Sequence, residues 1–185
     1  MASIVLFHSA LGLTPGTKTF AEALTRDGHQ VRTPDLFDGE TFSTVEAGVN
    51  KRDALGIPEL MRRAAAAAEQ APSDSIYAGF SMGAAAAQFL AMTRPGARGA
   101  VLMHAVLPLA AMGAERWPGV PVQVHTSQED PWVDAGVLAA FAEAASAEVF
   151  RYPGSAHLFA DSSGAEYDAA HAALLLERVR AFVRR

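Results

Sequence analysis

The sequence contains no cysteine among its 185 residues. Disulfide bonds, thiolate metal sites and a cysteine nucleophile are therefore excluded. It also lacks any block of basic residues, and its formal net charge is -5, from 20 acidic against 15 basic side chains. Nucleic-acid binding therefore has little support, because that function usually shows as a basic patch.

Long hydrophobic runs are missing as well. No apolar stretch approaches the roughly 20 residues that a membrane-spanning helix needs. The first residues lack the basic region and the longer apolar core of a signal peptide. We therefore expect no membrane partner and a cytoplasmic location.

Half of the residues are hydrophobic, which is enough for one buried core. No repeat or linker divides the chain. Short apolar runs alternate with segments of helical pattern. This alternation predicts an α/β fold: a mainly parallel six-stranded sheet with helices on both faces, in a single domain over residues 1–185. The predicted strands are 4–7, 31–34, 76–80, 100–103, 120–125 and 147–152. Helices are predicted over 14–27, 57–71, 82–94, 134–145 and 166–185, and an irregular loop over 36–56.

A Gly-x-Ser-x-Gly turn, residues 79–83, joins a buried apolar run to an alanine-rich helix. A strand that turns sharply into a helix strains its corner residue and projects the corner side chain above the sheet. Ser81 is that corner, and it stands at a helix N-terminus, where free N–H groups favour developing negative charge. The pattern predicts a nucleophile; the alternative is a serine that only caps the helix.

Polar residues that could complete such a site follow other predicted strands, where ligands bind in parallel sheets. Serine needs a base to remove its proton, and His157, after the last strand, has a suitable intrinsic pKa. Asp130, after the preceding strand, is the predicted carboxylate that orients the imidazole. The chain order Ser81, Asp130, His157 is that of the α/β-hydrolases. The acid could instead be Glu129, Asp134 or Asp161.

An oxyanion hole needs two backbone N–H donors. The N–H groups of Met82 and Ala10 are the predicted pair, with Leu11 as the alternative to Ala10 and a candidate substrate contact. Trp132 and Phe159 are predicted to line the substrate pocket or to belong to the core. No metal is expected, since the histidines near other strand ends, His8, His104 and His125, lie on different strands and have no paired carboxylate spacing. His8 and His125 more readily satisfy backbone groups or line the pocket.

With these motifs in place, the chain resembles the dienelactone hydrolase family of α/β-hydrolases. Five segments carry the resemblance, in the family's order: residues 7–12, 33–37, 79–83, 129–131 and 154–159. The resemblance implies hydrolysis of an ester or lactone through an acyl-enzyme, without a cofactor. Two departures stand out: Ser81 replaces the cysteine of the dienelactone hydrolases proper, and Ala160-Asp161 occupies the region where an arginine binds the substrate carboxylate.

We therefore predict a serine hydrolase for a small-molecule ester or lactone. The alternatives are a catalytically idle binding protein, or a thioesterase or amidase on the same fold. Chain length leaves no room for a cap domain, so small, rather polar acyl groups are expected. Lys51 or Arg52, in the predicted loop, is a candidate for attracting a substrate carboxylate, although a solvated loop charge is the alternative. The oligomeric state stays open.

Overall fold

Six parallel strands form one sheet in the computed structural model, which describes residues 1–185. In space they follow the order β2-β1-β3-β4-β5-β6, and every neighbouring pair runs parallel. The strands are β1 (Ser3–Phe7), β2 (Gln30–Arg32), β3 (Ile76–Phe80), β4 (Gly99–Met103), β5 (Val122–Ser127) and β6 (Glu148–Tyr152). The predicted fold class is confirmed.

Helices cover both faces of this sheet, because alternate side chains of each strand point to opposite sides. In β1, Ile4 and Leu6 join one hydrophobic cluster, whereas Val5 and Phe7 join the other. The helices are α1 (Pro15–Arg26), α2 (Val45–Leu55), α3 (Ile57–Glu69), α4 (Met82–Thr93), α5 (Ala135–Ala145) and α6 (Ala169–Val183). The cluster that contains Ile4 and Leu6 includes residues of α1 and α6, and the cluster that contains Val5 and Phe7 includes residues of α3, α4 and α5. None of them is long and apolar enough to cross a membrane.

The predicted irregular loop over residues 36–56 is wrong in its second half, where α2 forms. The Thr44 hydroxyl accepts the Ala47 N–H at 3.2 Å to start the helix, and Gly56, at φ 81°, ends it. Gly48 allows α2 to lie against the turn after β1, since a Cβ there would overlap the Ala10 carbonyl oxygen. The helix was not predicted because its own polar residues are spread around most of its circumference and leave no apolar stripe.

Three element boundaries also differ from the predictions. Strand β2 ends at Arg32, two residues before Pro34, and β5 begins at Val122, after Pro121. Proline lacks the N–H that a strand donates to its neighbour, so both prolines lie outside the paired region. Helix α6 begins at Ala169 because the Asp168 side chain accepts the N–H groups of residues 170 and 171. The short helical turn expected within 108–119 is present as a 3₁₀ turn, Leu109–Met112.

Because all strands are parallel, their carboxyl ends share one edge of the sheet. Ser81 directly follows β3, Asp130 lies three residues after β5, and His157 lies five residues after β6. The sheet therefore brings together at one edge residues that are 27 to 76 positions apart in sequence.

Candidate active site

The turn from β3 into α4 has the strained geometry that its composition predicts. Ser81 has φ 51° and ψ -111°, values that a residue with a side chain rarely adopts. A Cβ at Gly83 would overlap the Phe7 carbonyl oxygen and lie 2.5 Å from that of His8, and a Cβ at Gly79 would overlap the Gly83 carbonyl. These glycines let α4 start directly against the end of β1, and Ser81 is left half-buried at the cavity edge.

A continuous hydrogen-bonded chain connects Ser81, His157 and Asp130. The His157 Nε2 atom lies 2.8 Å from Ser81 Oγ, and Nδ1 lies 2.9 and 2.8 Å from the two carboxylate oxygens of Asp130. Because an ionised carboxylate only accepts, Nδ1 carries the proton and Nε2 accepts the serine hydroxyl hydrogen. The His157 and Asp130 side chains are almost fully buried, so little water competes for these bonds.

The other acids considered from the sequence lie elsewhere. Asp161 is buried but accepts hydrogen bonds from the Thr14 hydroxyl at 2.7 Å and from Ser163, which ties its loop to the start of α1. Asp134 accepts the Val137 N–H and starts α5. Glu129 is exposed. Of these carboxylates, only Asp130 is hydrogen-bonded to the His157 ring.

Two backbone N–H groups beside this chain have no acceptor within the protein, those of Met82 and Ala10. Met82 is the first residue of α4, where backbone donors are unpaired by helix geometry. Ala10 lies in the turn after β1. The Leu11 N–H, by contrast, donates to the Ser9 hydroxyl at 3.1 Å. Of the two N–H groups considered from the sequence, that of Ala10 is therefore unpaired and that of Leu11 is not.

Ser81 and His157 open into a cavity of about 340 Å³, and eleven of its fourteen lining residues are hydrophobic. Arg52 and Trp132, both predicted from the sequence, also line it. Arg52 hydrogen-bonds the neighbouring Asp53 carboxylate at 2.8 Å, and the Trp132 ring centroid is 5.7 Å from that of His157.

The cavity wall is largely apolar, and it comes mainly from α3, α4 and the segment after β4 rather than from the segment 36–56. The expected preference for small, rather polar acyl groups stays a prediction. Sequence reasoning did not identify Met61, Phe89 or Leu107 as cavity residues. Each lies on a different segment, and no local pattern signals their convergence.

Two further candidate substrate contacts lie outside this cavity. Leu11 lines a smaller cavity on the other side of Trp132. Phe159 is 1% exposed, and its ring centroid lies 4.6 Å from that of His104 and 4.7 Å from that of Tyr152. Of the two places predicted for Phe159, the structure shows the core and not the wall of the cavity that contains Ser81, since its ring is buried against those of His104 and Tyr152.

Two other buried histidines, His104 and His125, lie in the core and not in the hydrogen-bonded chain. His104 is fully buried, neither ring nitrogen has a hydrogen-bond partner, and burial, reinforced by His157, holds its pKa well below the usual value. His125 is hydrogen-bonded to the Tyr152 hydroxyl at 2.9 Å, and burial lowers its pKa to about 3. No group of three or more histidine, aspartate or glutamate side chains is arranged to hold a metal ion.

Comparisons with known proteins agree with this architecture. The model of the dienelactone hydrolase family matches residues 1–185. A search among curated proteins gave no significant match. Among solved structures, a dienelactone hydrolase-like promiscuous phosphotriesterase from metagenomic libraries superimposes with a TM-score of 0.85 at 22% identity, covering 100% of this chain and 86% of the other.

Two further solved structures are similar. A thermophilic esterase from Thermogutta terrifontis, solved with propionate bound, gives a TM-score of 0.71 at 16% identity, covering 99% of this chain and 82% of the other. One of two metagenome-derived lipolytic enzymes gives 0.67 at 18% identity, with 99% and 93% covered. At these identities the likeness establishes the shared fold alone.

Proposed function

Because the chain belongs to the dienelactone hydrolase family and is thus a hydrolase of the ester- and lactone-cleaving class, we propose that it acts through a Ser81–His157–Asp130 triad and an acyl-enzyme. The observation that carries this proposal is the hydrogen-bonded chain from Asp130 through His157 to the strained Ser81. A serine that only capped α4 would need neither this hydrogen-bonded chain nor a strained backbone. The Ser81 side chain also makes no capping hydrogen bond.

In the proposed reaction His157 Nε2 takes the proton of the Ser81 hydroxyl as Oγ attacks the ester carbonyl carbon. The carbonyl oxygen becomes an oxyanion and binds the N–H groups of Met82 and Ala10. The tetrahedral intermediate collapses, the bond to the alcohol breaks, and His157 returns the proton to the leaving oxygen. A water molecule then repeats both steps on the acyl-enzyme, which releases the carboxylic acid and restores Ser81.

Asp130 supports both steps without being protonated itself. Its carboxylate keeps the His157 proton on Nδ1, so that Nε2 is free to act as the base. It also stabilises the imidazolium that forms while His157 holds the serine proton. Because these side chains are buried, their interaction is weakly screened by water and salt.

The test is to compare wild type with Ser81→Ala for hydrolysis of nitrophenyl esters and a lactone, and for labelling by a fluorophosphonate probe. Ser73→Ala is the matched control, because Ser73 is exposed near the start of β3, at the opposite end of the strand. We expect the Ser81 variant to lose labelling and to lose activity by on the order of 10³-fold or more, and the control to retain both. A folded Ser81→Ala enzyme with near wild-type kcat would overturn the proposed mechanism.

The same experiment separates the alternative functions. A catalytically idle binding protein would leave Ser81 unlabelled and every ester intact. A thioester and an anilide in the substrate panel distinguish thioesterase and amidase activity from ester hydrolysis. We expect the oxygen esters to be the better substrates, in line with the family.

A further inference from the structure

One face of α4 forms a wall of the cavity that contains Ser81. Met82, Ala85 and Phe89 all line it, at positions that share one side of a helix. Ala85 lies about one turn and Phe89 about two turns beyond Ser81 along the helix axis. The cavity therefore extends away from the serine along α4, and a group bonded to Ser81 Oγ would follow the same direction.

Other apolar side chains that line the cavity are those of Leu60 and Met61 of α3 and of Leu107 after β4. The segment after β4 is held firmly against α4 by the buried Gln88. The Gln88 amide donates to the Leu107 carbonyl at 2.8 Å and accepts the Leu107 N–H at 2.9 Å. These walls offer an acyl chain no charged partner, and Arg52, the cavity's one arginine, is already paired with Asp53.

The dimensions limit the size of the group that fits. Met82 and Phe89 are seven residues apart, which corresponds to about 10 Å of helix. An extended carbon chain advances by about 1.3 Å for each C–C bond, given the 1.5 Å bond length, so seven or eight carbons span this distance.

We propose that the cavity along α4 is the acyl subsite and that it selects esters of apolar carboxylic acids of up to about eight carbons. This rests on the proposed function, because it takes the Ser81 acyl-enzyme as given. The acyl group, rather than the alcohol, occupies this site, since His157 must face the leaving oxygen to protonate it. The alcohol then lies on the His157 and Trp132 side of the cavity, where Trp132 is 47% exposed.

The test measures kcat/KM for nitrophenyl esters from acetate to palmitate. We expect a rise of about fourfold for each added methylene up to six or eight carbons, followed by a fall. Alkyl acetates, which carry the added carbons on the alcohol, should show a much weaker dependence on chain length. Ala85→Leu should lower kcat/KM for octanoate by on the order of tenfold or more, because its three added carbons occupy the middle of the cavity.

The control variant is Ala66→Leu, the same substitution at an exposed position of α3 outside the cavity. It should leave kcat/KM unchanged for both acetate and octanoate esters. Ala85→Leu should lower kcat/KM for acetate by a smaller factor than for octanoate, because only the longer acyl group reaches the added carbons. Two results would overturn the acyl subsite but not the proposed function. One is a kcat/KM that stays flat or falls with acyl chain length while activity still depends on Ser81. The other is an equal loss of kcat/KM for acetate and octanoate in Ala85→Leu. Failure to hydrolyse any ester overturns the proposed function as well.

An independent observation concerns His8, which directly precedes the turn carrying Ala10. Its Nδ1 lies 2.7 Å from the Ser9 carbonyl oxygen, and its Nε2 lies 2.9 Å from the Leu36 backbone nitrogen. A carbonyl only accepts and a backbone N–H only donates, so the ring is neutral with its proton on Nδ1. Burial lowers the pKa of His8, in agreement with a neutral ring.

The Ser9 carbonyl and the Ala10 N–H belong to the same planar peptide group and point in opposite directions. This carbonyl accepts both the His8 Nδ1–H and, at 3.1 Å, the Gly12 N–H. We infer that His8 is a positioning residue that aims the Ala10 N–H at the oxyanion. The inference rests on the proposed oxyanion hole but not on the acyl subsite.

Three substitutions test this role. His8→Asn keeps an N–H donor near the position of Nδ1, whereas the longer His8→Gln places its amide near Nε2 and His8→Leu keeps neither. Losing one oxyanion donor costs about 10² to 10³ in kcat, so we expect the Leu and Gln variants to lose at least tenfold in kcat with KM within about threefold. The Asn variant should recover most of this loss.

A merely structural role would lower thermal stability in all three variants without this order in kcat. If His8→Leu does not fold, the comparison of kcat between His8→Asn and His8→Gln still tests the positioning role. Equal kcat in these two variants, or a loss confined to KM, overturns the positioning role. Such a result would leave the proposed function intact as long as ester hydrolysis by the wild type is lost in Ser81→Ala.

Discussion

Replacing Asp130 by asparagine tests the centre of the proposed triad with almost no change in shape. Asp130 Oδ1 accepts the Trp132 N–H at 2.9 Å, and both carboxylate oxygens lie within hydrogen-bond distance of His157 Nδ1. An asparagine amide has one acceptor and one donor, so it cannot serve both neighbours as the carboxylate does. The substitution therefore forces a choice between two arrangements.

In the first arrangement the amide oxygen stays with the Trp132 N–H, and the NH₂ group faces His157 Nδ1. The imidazole must then accept at Nδ1 and carry its proton on Nε2, where it can no longer take the Ser81 proton. In the second arrangement the amide is flipped, which restores the tautomer but aims two donors at each other near Trp132. An unpaired buried donor costs about 1–3 kcal/mol, so this arrangement is populated only weakly.

Even the flipped arrangement lacks the negative charge that stabilises the imidazolium. Together these effects lead us to expect a loss on the order of 10⁴ in kcat, the effect of the same change in serine proteases. That factor corresponds to about 5.4 kcal/mol of transition-state stabilisation, at 1.36 kcal/mol for each tenfold change. The fold should remain intact, since the side chain keeps its volume.

The assay is steady-state hydrolysis of a nitrophenyl ester, with circular dichroism and thermal unfolding to establish folding. Asp161→Asn is the matched control, since Asp161 is also buried but bonds Thr14 and Ser163 instead of His157. It should lose stability and keep kcat within a fewfold of wild type. A folded Asp130→Asn enzyme within tenfold of wild-type kcat would refute the reasoning, as would an Asp161→Asn enzyme that is the more impaired of the two.

Three further predictions follow from the same structure. Gly83→Ala should abolish activity or expression, because its Cβ would overlap the Phe7 carbonyl; activity near wild type would contradict the close approach of α4 to β1. Between pH 6.5 and about 3 the unfolded state binds a proton that buried His125 does not, so His125 by itself should lower stability by up to about 1.4 kcal/mol for each pH unit of acidification. Urea unfolding of His125→Gln should show a shallower pH slope, and an unchanged slope would count against this. Dialysis against a chelator should leave ester hydrolysis unchanged; a loss restored by zinc would show a metal requirement.

Much of the fold could be predicted because its signals are local. Buried parallel strands read as continuous apolar runs, and a proline or a capping side chain marks where most helices begin. The Gly-x-Ser-x-Gly turn carries its own explanation, since Gly79 and Gly83 stand where a side chain would strike the backbone. Helix α2 also has a capping side chain, that of Thr44. It was missed because its polar residues leave no apolar stripe that would separate it from a loop.

The sequence by itself determined the order of the strands and of every helix except α2, the strained corner at Ser81 and the position of each candidate group near a strand end. These follow from the preferences of neighbouring residues, which act over a few positions. Only the tertiary structure decided which carboxylate meets His157, because Asp130 and Asp161 both lie in loops near the same edge and differ in their partners. It also decided the character of the cavity, since Met61, Phe89 and Leu107 converge from three segments through long-range packing that no local pattern records.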